Sequence, residues 1–266
     1  MVRITDPTKF MTLMSAASDV PFADVDVRAL TFRWSTGQVA LQNVSLRAES
    51  GERIAIVGPS GAGKSTLLLH LNGLLPEQKP RAENPCIWIQ GLPVQGVQLP
   101  EVRRRVGFLF QEPDDQLFCP TVWDDVAFGP LNLGCTPDEV RQRVNDSLSA
   151  VGLADQANRQ PSQLSVGERK RVGLAGLFAM KPSILVLDEP TANLDPRSRR
   201  KLLAILQDLP QTQIVATHDL DFALDLCERT LILDEGCVQT DGRTAAVLSD
   251  PHLMDRHGLE VPWRLR

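Results

Sequence analysis

Short apolar runs recur along the chain between longer stretches whose apolar residues fall at helical spacing. Val25 to Trp34 alternates in part and ends at Ser35-Thr36-Gly37, which predicts a strand followed by a turn. Val44 to Ala48 predicts another, and Ser50-Gly51 turns the chain into Arg53–Val57. The run Ile54-Ala55-Ile56-Val57 is apolar throughout and leads directly into glycine-rich sequence, as expected of a strand buried on both faces. Lys64 to Asn72 is leucine-rich and free of breakers, so it predicts a helix, with Gly73 suited to its C-terminus and Pro76 blocking continuation. Further strands are predicted at Ile87–Gln90, Val106–Phe110, Ile184–Leu187, Ile214–Thr217 and Thr230–Leu233, the last turning at Asp234-Glu235-Gly236 into Cys237–Gln239.

Between Gln111 and Gln163 the pattern becomes helical, polar and proline-punctuated, which predicts an inserted helical lobe at about 111–165. Strands alternating with helices predict an α/β core with a mainly parallel sheet. Residues 1–24 have no clear period and are expected to be a tail. The folded domain is expected at 25–250, and 251–266 to be a C-terminal tail.

The chemistry is concentrated at two strand ends. Gly58-Pro59-Ser60-Gly61-Ala62-Gly63-Lys64-Ser65 fits G-x-x-x-x-G-K-[ST] between a predicted strand and a predicted helix, with Thr66 continuing into that helix. Glycines let backbone N–H groups converge on phosphate oxygens, and a helix N-terminus adds partial positive charge. Lys64 is placed to neutralise the β- and γ-phosphates of a nucleotide, and the Ser65 hydroxyl to ligate Mg²⁺. The second end is Ile184-Leu185-Val186-Leu187-Asp188-Glu189, four apolar residues delivering two carboxylates to the edge where α/β sheets bind ligands. Asp188 suits Mg²⁺, leaving Glu189 to deprotonate the attacking water.

Composition narrows the class. Of 266 residues 42% are hydrophobic and 23% charged, which suits a globular domain, and a net charge of −5 disfavours a surface built for nucleic acid. The basic stretch Arg197 to Lys201 reads as a solvated helix face. Five widely spaced cysteines without a C-x-x-C pair suit a reducing compartment, and the four histidines make no zinc-type spacing. No apolar run is long enough to cross a membrane, and the first residues do not read as a secretion signal. The expected location is the cytoplasm, held peripherally at the membrane's inner face by a partner.

Pro161-Ser162-Gln163-Leu164-Ser165-Val166-Gly167-Glu168-Arg169-Lys170-Arg171 resembles the signature of the ABC ATPases, opening a helix predicted for Arg169 to Met180. Ser165 and Glu168 fit a capping box. The resemblance implies a P-loop core with an antiparallel β subdomain and a helical lobe. It further implies that Ser165, Gly167 and Glu168 face the γ-phosphate of ATP bound by the opposite subunit of a dimer. In the same family order, Gln111 resembles the glutamine that senses Mg²⁺, water and the membrane partner. Asp195 in Asn193-Leu194-Asp195 resembles the D-loop, and His218 resembles the switch histidine at the γ-phosphate. Trp34 stands where the family stacks an aromatic on adenine, although an edge or core aromatic is the competing reading. Val166 departs from the pattern by replacing the first signature glycine, and a β-branched residue resists φ > 0.

Gln111-Glu112-Pro113-Asp114-Asp115-Gln116-Leu117-Phe118, together with Asp124-Asp125-Val126-Ala127-Phe128-Gly129-Pro130, resembles the energy-coupling-factor ATPases. Leu69 to Leu75, Gly173 to Gly176 and Gly258 to Pro262 resemble their cobalt and nickel branch. The resemblance implies an importer motor for cobalt, nickel or another transition-metal ion, working with a second ATPase subunit and integral membrane subunits. A vitamin importer and a soluble assembly-pathway ATPase remain as alternatives. Leu117 and Phe118 read as docking anchors and Asp114 and Asp115 as partners for an arginine, the alternative being a capped loop packing its own apolar residues. A GTPase is disfavoured because no N-K-x-D motif exists, and a single phosphate loop disfavours a two-cassette translation factor.

Overall fold

In the computed structural model, residues 23–76 and 85–266 are described. β1 (Val25–Arg33) and β2 (Val39–Ala48) pair antiparallel, β2 starting earlier than its apolar pattern predicts. β3 (Arg53–Val57) follows and leads through the glycine-rich loop into α1 (Lys64–Leu71). Next come β4 (Ile87–Ile89), β5 (Leu92–Pro93), α2 (Leu99–Arg105) and β6 (Val106–Leu109). The helical lobe supplies α3 (Val122–Asn132) and α4 (Pro137–Ala150), and α5 (Val166–Met180) packs on both. β7 (Ile184–Asp188), α6 (Pro196–Gln207), β8 (Thr212–Ala216) and α7 (Leu220–Leu226) continue the alternation. The chain ends through the hairpin β9 (Arg229–Asp234) and β10 (Cys237–Arg243), then α8 (Thr244–Leu248) and α9 (Pro251–Arg256).

The strands form two sheets. One is antiparallel, in the order β2-β1-β4-β5; the other runs β10-β9-β3-β8-β7-β6 and is parallel except for β10. The uninterrupted apolar runs have a simple cause. Ile54 and Ile56 of β3 join Ile184 and Val186 of β7 in one core with α1 and the antiparallel sheet. Ala55, Val57, Leu185 and Leu187 point to the opposite core, under α3 to α7. A strand covered on both faces needs apolar residues at every position, so its period of two disappears from the sequence. Each fully buried leucine or isoleucine contributes about 1.5–3 kcal/mol.

Described residues from both segments expected as tails are built into the fold. Of the expected N-terminal tail, Ala23 and Asp24 are described, and both are buried; Asp24 accepts hydrogen bonds from Gln90 at 2.8 Å and from the Thr212 hydroxyl. The rest of that tail lies outside the described residues. The C-terminal segment expected as a tail forms α9, capped by Asp250, and buries Met254 against the helix-covered core.

Candidate functional site: a phosphate loop facing a carboxylate–histidine pair

Four neighbouring parallel strands deliver the site. β3, β8, β7 and β6 lie side by side, and beyond their C-terminal ends come Gly58, His218, Glu189 and Gln111 in turn. A cavity of about 480 Å³ opens there, and its lining includes Ser60 to Thr66, Gln111, Glu189 and His218. Trp34 closes one side from the antiparallel sheet. It is 37% exposed, and its ring stands edge-on to Phe32 with centroids 5.0 Å apart. Gln38, Val39 and Ala40 line the cavity beside Trp34. Their sequence carries no chemical signal, and only the approach of β2 to the loop brings them there.

The loop's shape depends on its glycines. Gly58 has φ 151°, and a Cβ there would lie 1.9 Å from the carbonyl oxygen of Leu233. Gly63 has φ 102°, and its Cβ would meet the Ala40 carbonyl at 2.5 Å. Side chains at either position would drive the loop off β9 or β2. Gly63 also begins α1 without a side-chain cap, and the first turn has no acidic residue. The leading N–H groups are therefore left for an anion. Lys64 folds back over the loop, its Nζ donating to the carbonyls of Gly58 at 2.7 Å and Pro59 at 3.0 Å. Burial holds its pKa below the ordinary lysine value, against the pull of Glu189 and Asp188.

The two carboxylates at the end of β7 differ in setting. Asp188 is buried, and burial raises its pKa above the usual carboxylate value, opposed by a hydrogen bond from Ser65. Among the described residues its Oδ1 has no hydrogen-bond partner. A buried carboxylate oxygen with no donor, beside a serine hydroxyl, is a hard-oxygen site that suits Mg²⁺. Ser65 and Asp188 would hold the ion, which when bound neutralises phosphate charge. Glu189 has a left-handed backbone, φ 44°, uncommon outside glycine. Its Oε2 accepts from the His218 backbone N–H at 3.2 Å and lies 2.8 Å from His218 Nδ1. An ionised carboxylate at this distance accepts from an Nδ1–H. The imidazole itself is largely exposed.

The signature residues lie elsewhere. Ser165, Gly167, Glu168 and Asp195 do not line this cavity. The capping box forms as expected. Ser165 accepts from the Glu168 N–H at 3.3 Å, and Glu168 accepts from the Ser165 N–H at 2.9 Å and hydroxyl at 2.7 Å. Those same bonds from Ser165 hold the Glu168 carboxyl below its ordinary pKa. Val166 is the first residue of α5 and does not have positive φ, so the β-branched side chain meets no backbone strain. Gly167 presses against α6, where a Cβ would come 2.6 Å from the Ser198 hydroxyl. Asp195 caps α6, accepting from the N–H groups of Arg197 and Ser198 at 2.8 and 3.0 Å.

Lys170 is a residue that sequence reasoning missed. It sits between Arg169 and Arg171 in the signature stretch, where no role was assigned to it, yet it is only 2% exposed and donates to the backbone carbonyl of Glu189 at 2.9 Å. The available signal was its place four residues after Val166 and four before buried Leu174, on one face of α5.

Residues 41–192 match the family described as ABC transporter. The chain is 52% identical over 241 residues to an ABC transporter ATP-binding protein of Gloeobacter violaceus, covering 90% of this chain and 97% of that one. It is 43% identical over 241 residues to the energy-coupling factor transporter ATP-binding protein EcfA of Methanothermobacter thermautotrophicus, covering 90% of this chain and 76% of the relative. Among solved structures it resembles cbiO1 from Clostridium perfringens, part of the ABC transporter complex cbiONQ. That match has a TM-score of 0.76 at 33% identity and covers 88% of this chain and 94% of that one. A dimeric ATP-binding cassette in a post-hydrolysis state bound to ADP and Pi matches with a TM-score of 0.72 at 31% identity, over 83% of this chain and 98% of that one. With the P-loop, the β7 carboxylates and the capped signature helix in one α/β core, these likenesses establish that the chain belongs to the ABC transporter family, as an ATP-binding and ATP-hydrolysing subunit.

Proposed function

We propose that this subunit powers an energy-coupling-factor importer for cobalt, nickel or another transition-metal ion. The observation that carries the motor reading is the convergence of the phosphate loop, Gln111 and the Glu189–His218 pair on one cavity. Similarity to an energy-coupling factor ATPase and to a member of a cbiONQ complex supports the importer class. In this reading Glu189 is the general base, worth roughly 10²–10⁴ in rate. His218 orients its carboxylate and reaches the γ-phosphate, while Gln111 reports on Mg²⁺, the attacking water and the membrane partner. The phosphate loop from Gly58 to Thr66 and Trp34 hold ATP, and Ser65, Asp188 and Gln111 provide the Mg²⁺ oxygens.

Two chains meet head to tail, so that Ser165, Gly167 and Glu168 of one complete the ATP site of the other, with Asp195 at the same seam. The separation of these residues from the chain's own cavity supports that arrangement. The second ATPase is another copy or a similar protein. Integral membrane subunits hold the complex at the inner face of the membrane, and no described helix is long and apolar enough to cross it. The lobe carries an exposed apolar face suited to them. Phe118 is 67% exposed and Phe128 48%, stacked edge to face at 4.9 Å, with exposed Leu131 nearby in sequence on the same helix as Phe128. Leu117, by contrast, packs against the core, and Asp114 lies 3.4 Å from this chain's own Arg169. Phe118 and Phe128 therefore replace Leu117 as the anchors.

The test is co-purification with candidate membrane subunits, followed by ATPase assay of parent and Glu189→Gln complexes and uptake of labelled Co²⁺, Ni²⁺ and biotin. The proposal expects a stable complex, hydrolysis lost in the variant and metal-ion uptake. Biotin uptake without metal-ion uptake moves the cargo to a vitamin, and hydrolysis with no membrane subunit recovered moves the chain to a soluble ATPase.

A further inference from the structure

Lys170 is a fully buried cation that none of the phosphate or Mg²⁺ chemistry uses. Burying an ammonium costs several kcal/mol unless it is well partnered, and a methionine of similar length would fill the space at lower cost. What lysine alone adds there is a charged donor, and its hydrogen bond goes to the backbone carbonyl of Glu189 at 2.9 Å. That carbonyl belongs to a residue in left-handed conformation. The rest of Glu189 is gripped as well. Its N–H donates to the Ala216 carbonyl at the end of β8 at 2.9 Å, and its carboxylate is held by His218. The neighbouring carboxylates of Glu112, Glu189 and Asp188 all favour the charged lysine against its burial.

The other end of this contact lies on the signature helix. Lys170 stands five residues after the Ser165 cap, little more than one helical turn into α5, and Gly167 between them presses on α6. A shift of the capped end of α5 therefore moves the Lys170 donor, and with it the peptide that sets the direction of the Glu189 carboxylate. A helix start packed this closely moves as a unit rather than by bending side chains. We infer that Lys170 is a positioning residue: it carries engagement of the signature end of α5 with the opposing nucleotide to the backbone of Glu189 in its own chain. This rests on the reading of Glu189 as the base and of Ser165–Glu168 as the face toward the partner's ATP.

The experiment uses the full chain in its assembled complex and compares parent, Lys170→Met, Lys170→Gln and Glu189→Gln. Loss of a charge-assisted hydrogen bond to a positioned peptide corresponds to a roughly 10- to 100-fold fall in kcat. That fall is expected in Lys170→Met with the KM for ATP and the ATP-driven dimerisation of the Glu189→Gln background unchanged. Lys170→Gln, which keeps a neutral donor with shorter reach, is expected to fall between parent and Met. A Tm equal to or above the parent's in Lys170→Met separates positioning from loss of fold. Parent-like kcat in Lys170→Met, or a loss residing wholly in KM, overturns the inference; if the Met variant does not fold, the same outcomes in Lys170→Gln decide it. Should Glu189→Gln hydrolyse ATP at the parent rate, the assignment of the base fails first, whereas an inactive Glu189→Gln beside a fully active Lys170→Met overturns only the role of Lys170.

Discussion

His218 holds one oxygen of Glu189 twice, through its backbone N–H at 3.2 Å and through Nδ1 at 2.8 Å. The two residues are 29 positions apart and meet because β7 and β8 are neighbours in register, Asp188 opposite Ala216. Replacing His218 by alanine removes the ring contact and keeps the backbone one. Hydrolysis should fall roughly 10- to 100-fold, the scale of a lost charge-assisted hydrogen bond at a reacting group. Equilibrium ATP binding should be retained, and a variant with parent turnover would show that the ring is dispensable.

Gly58→Ala should be severe for a reason outside the chemistry. The new methyl would overlap the Leu233 carbonyl, a backbone atom that cannot rotate away. Strain of this kind costs a few kcal/mol, and the loop would have to part from β9. A thermal melt should show a loss of several degrees together with weakened ATP binding. Gly61→Ala offers the comparison, because nothing lies within 4 Å of its Cβ and only its positive φ resists substitution.

Asp188→Asn is predicted to separate stability from function. The native pKa of Asp188 is raised, chiefly by burial, so the folded state binds its proton more tightly than the unfolded state does. Stability from that proton is present below the unfolded pKa and is lost as pH rises through the native one, so at neutral pH the ionised carboxylate is a cost. The nucleotide-free Asn variant should melt a few degrees higher at pH 7, with the gain shrinking toward pH 4. Mg²⁺-dependent hydrolysis should disappear in the same protein. A lower Tm at neutral pH would contradict the sign.

Arg199 clamps the loop after His218. Its Nε and Nη2 donate to the two oxygens of Asp219 at 2.6 and 3.0 Å, and Asp219 also caps α7 through the Phe222 N–H at 2.8 Å. Burial acts to raise the Asp219 carboxyl, but Arg199 and the Phe222 N–H outweigh it and hold it below the ordinary value. Its contribution is therefore present above the unfolded pKa and lost as pH falls through the native one. Arg199→Ala should cost about 1–2 kcal/mol at pH 7, discounted because both side chains remain 24% exposed. Melts of parent and variant should converge at acid pH. An unchanged gap between them would assign the loss to packing against Phe222 instead.

The sequence by itself determined the positions of the phosphate loop, of Asp188 and Glu189 at the end of an apolar strand, and of the Ser165–Glu168 capping box, although the helix it caps begins at Val166 rather than at the predicted Arg169. Each is written in a few contiguous residues: glycines where backbone must approach phosphate, acids where a buried strand emerges, a serine three residues before a glutamate. The tertiary structure decided what depends on neighbours far along the chain. Val166 is unstrained because the helix begins at it, which the residue type alone could not say. Leu117 packs inward while Phe118 stays exposed, although both are apolar residues of one loop. Lys170 and Arg169 are adjacent basic residues, yet only Lys170 points at the peptide of Glu189. The α9 segment buries Met254 in the helix-covered core, a placement its short, polar sequence does not announce. Local backbone chemistry is legible in a short stretch of residues; which face of an element is buried, and against what, exists only once the layers have packed.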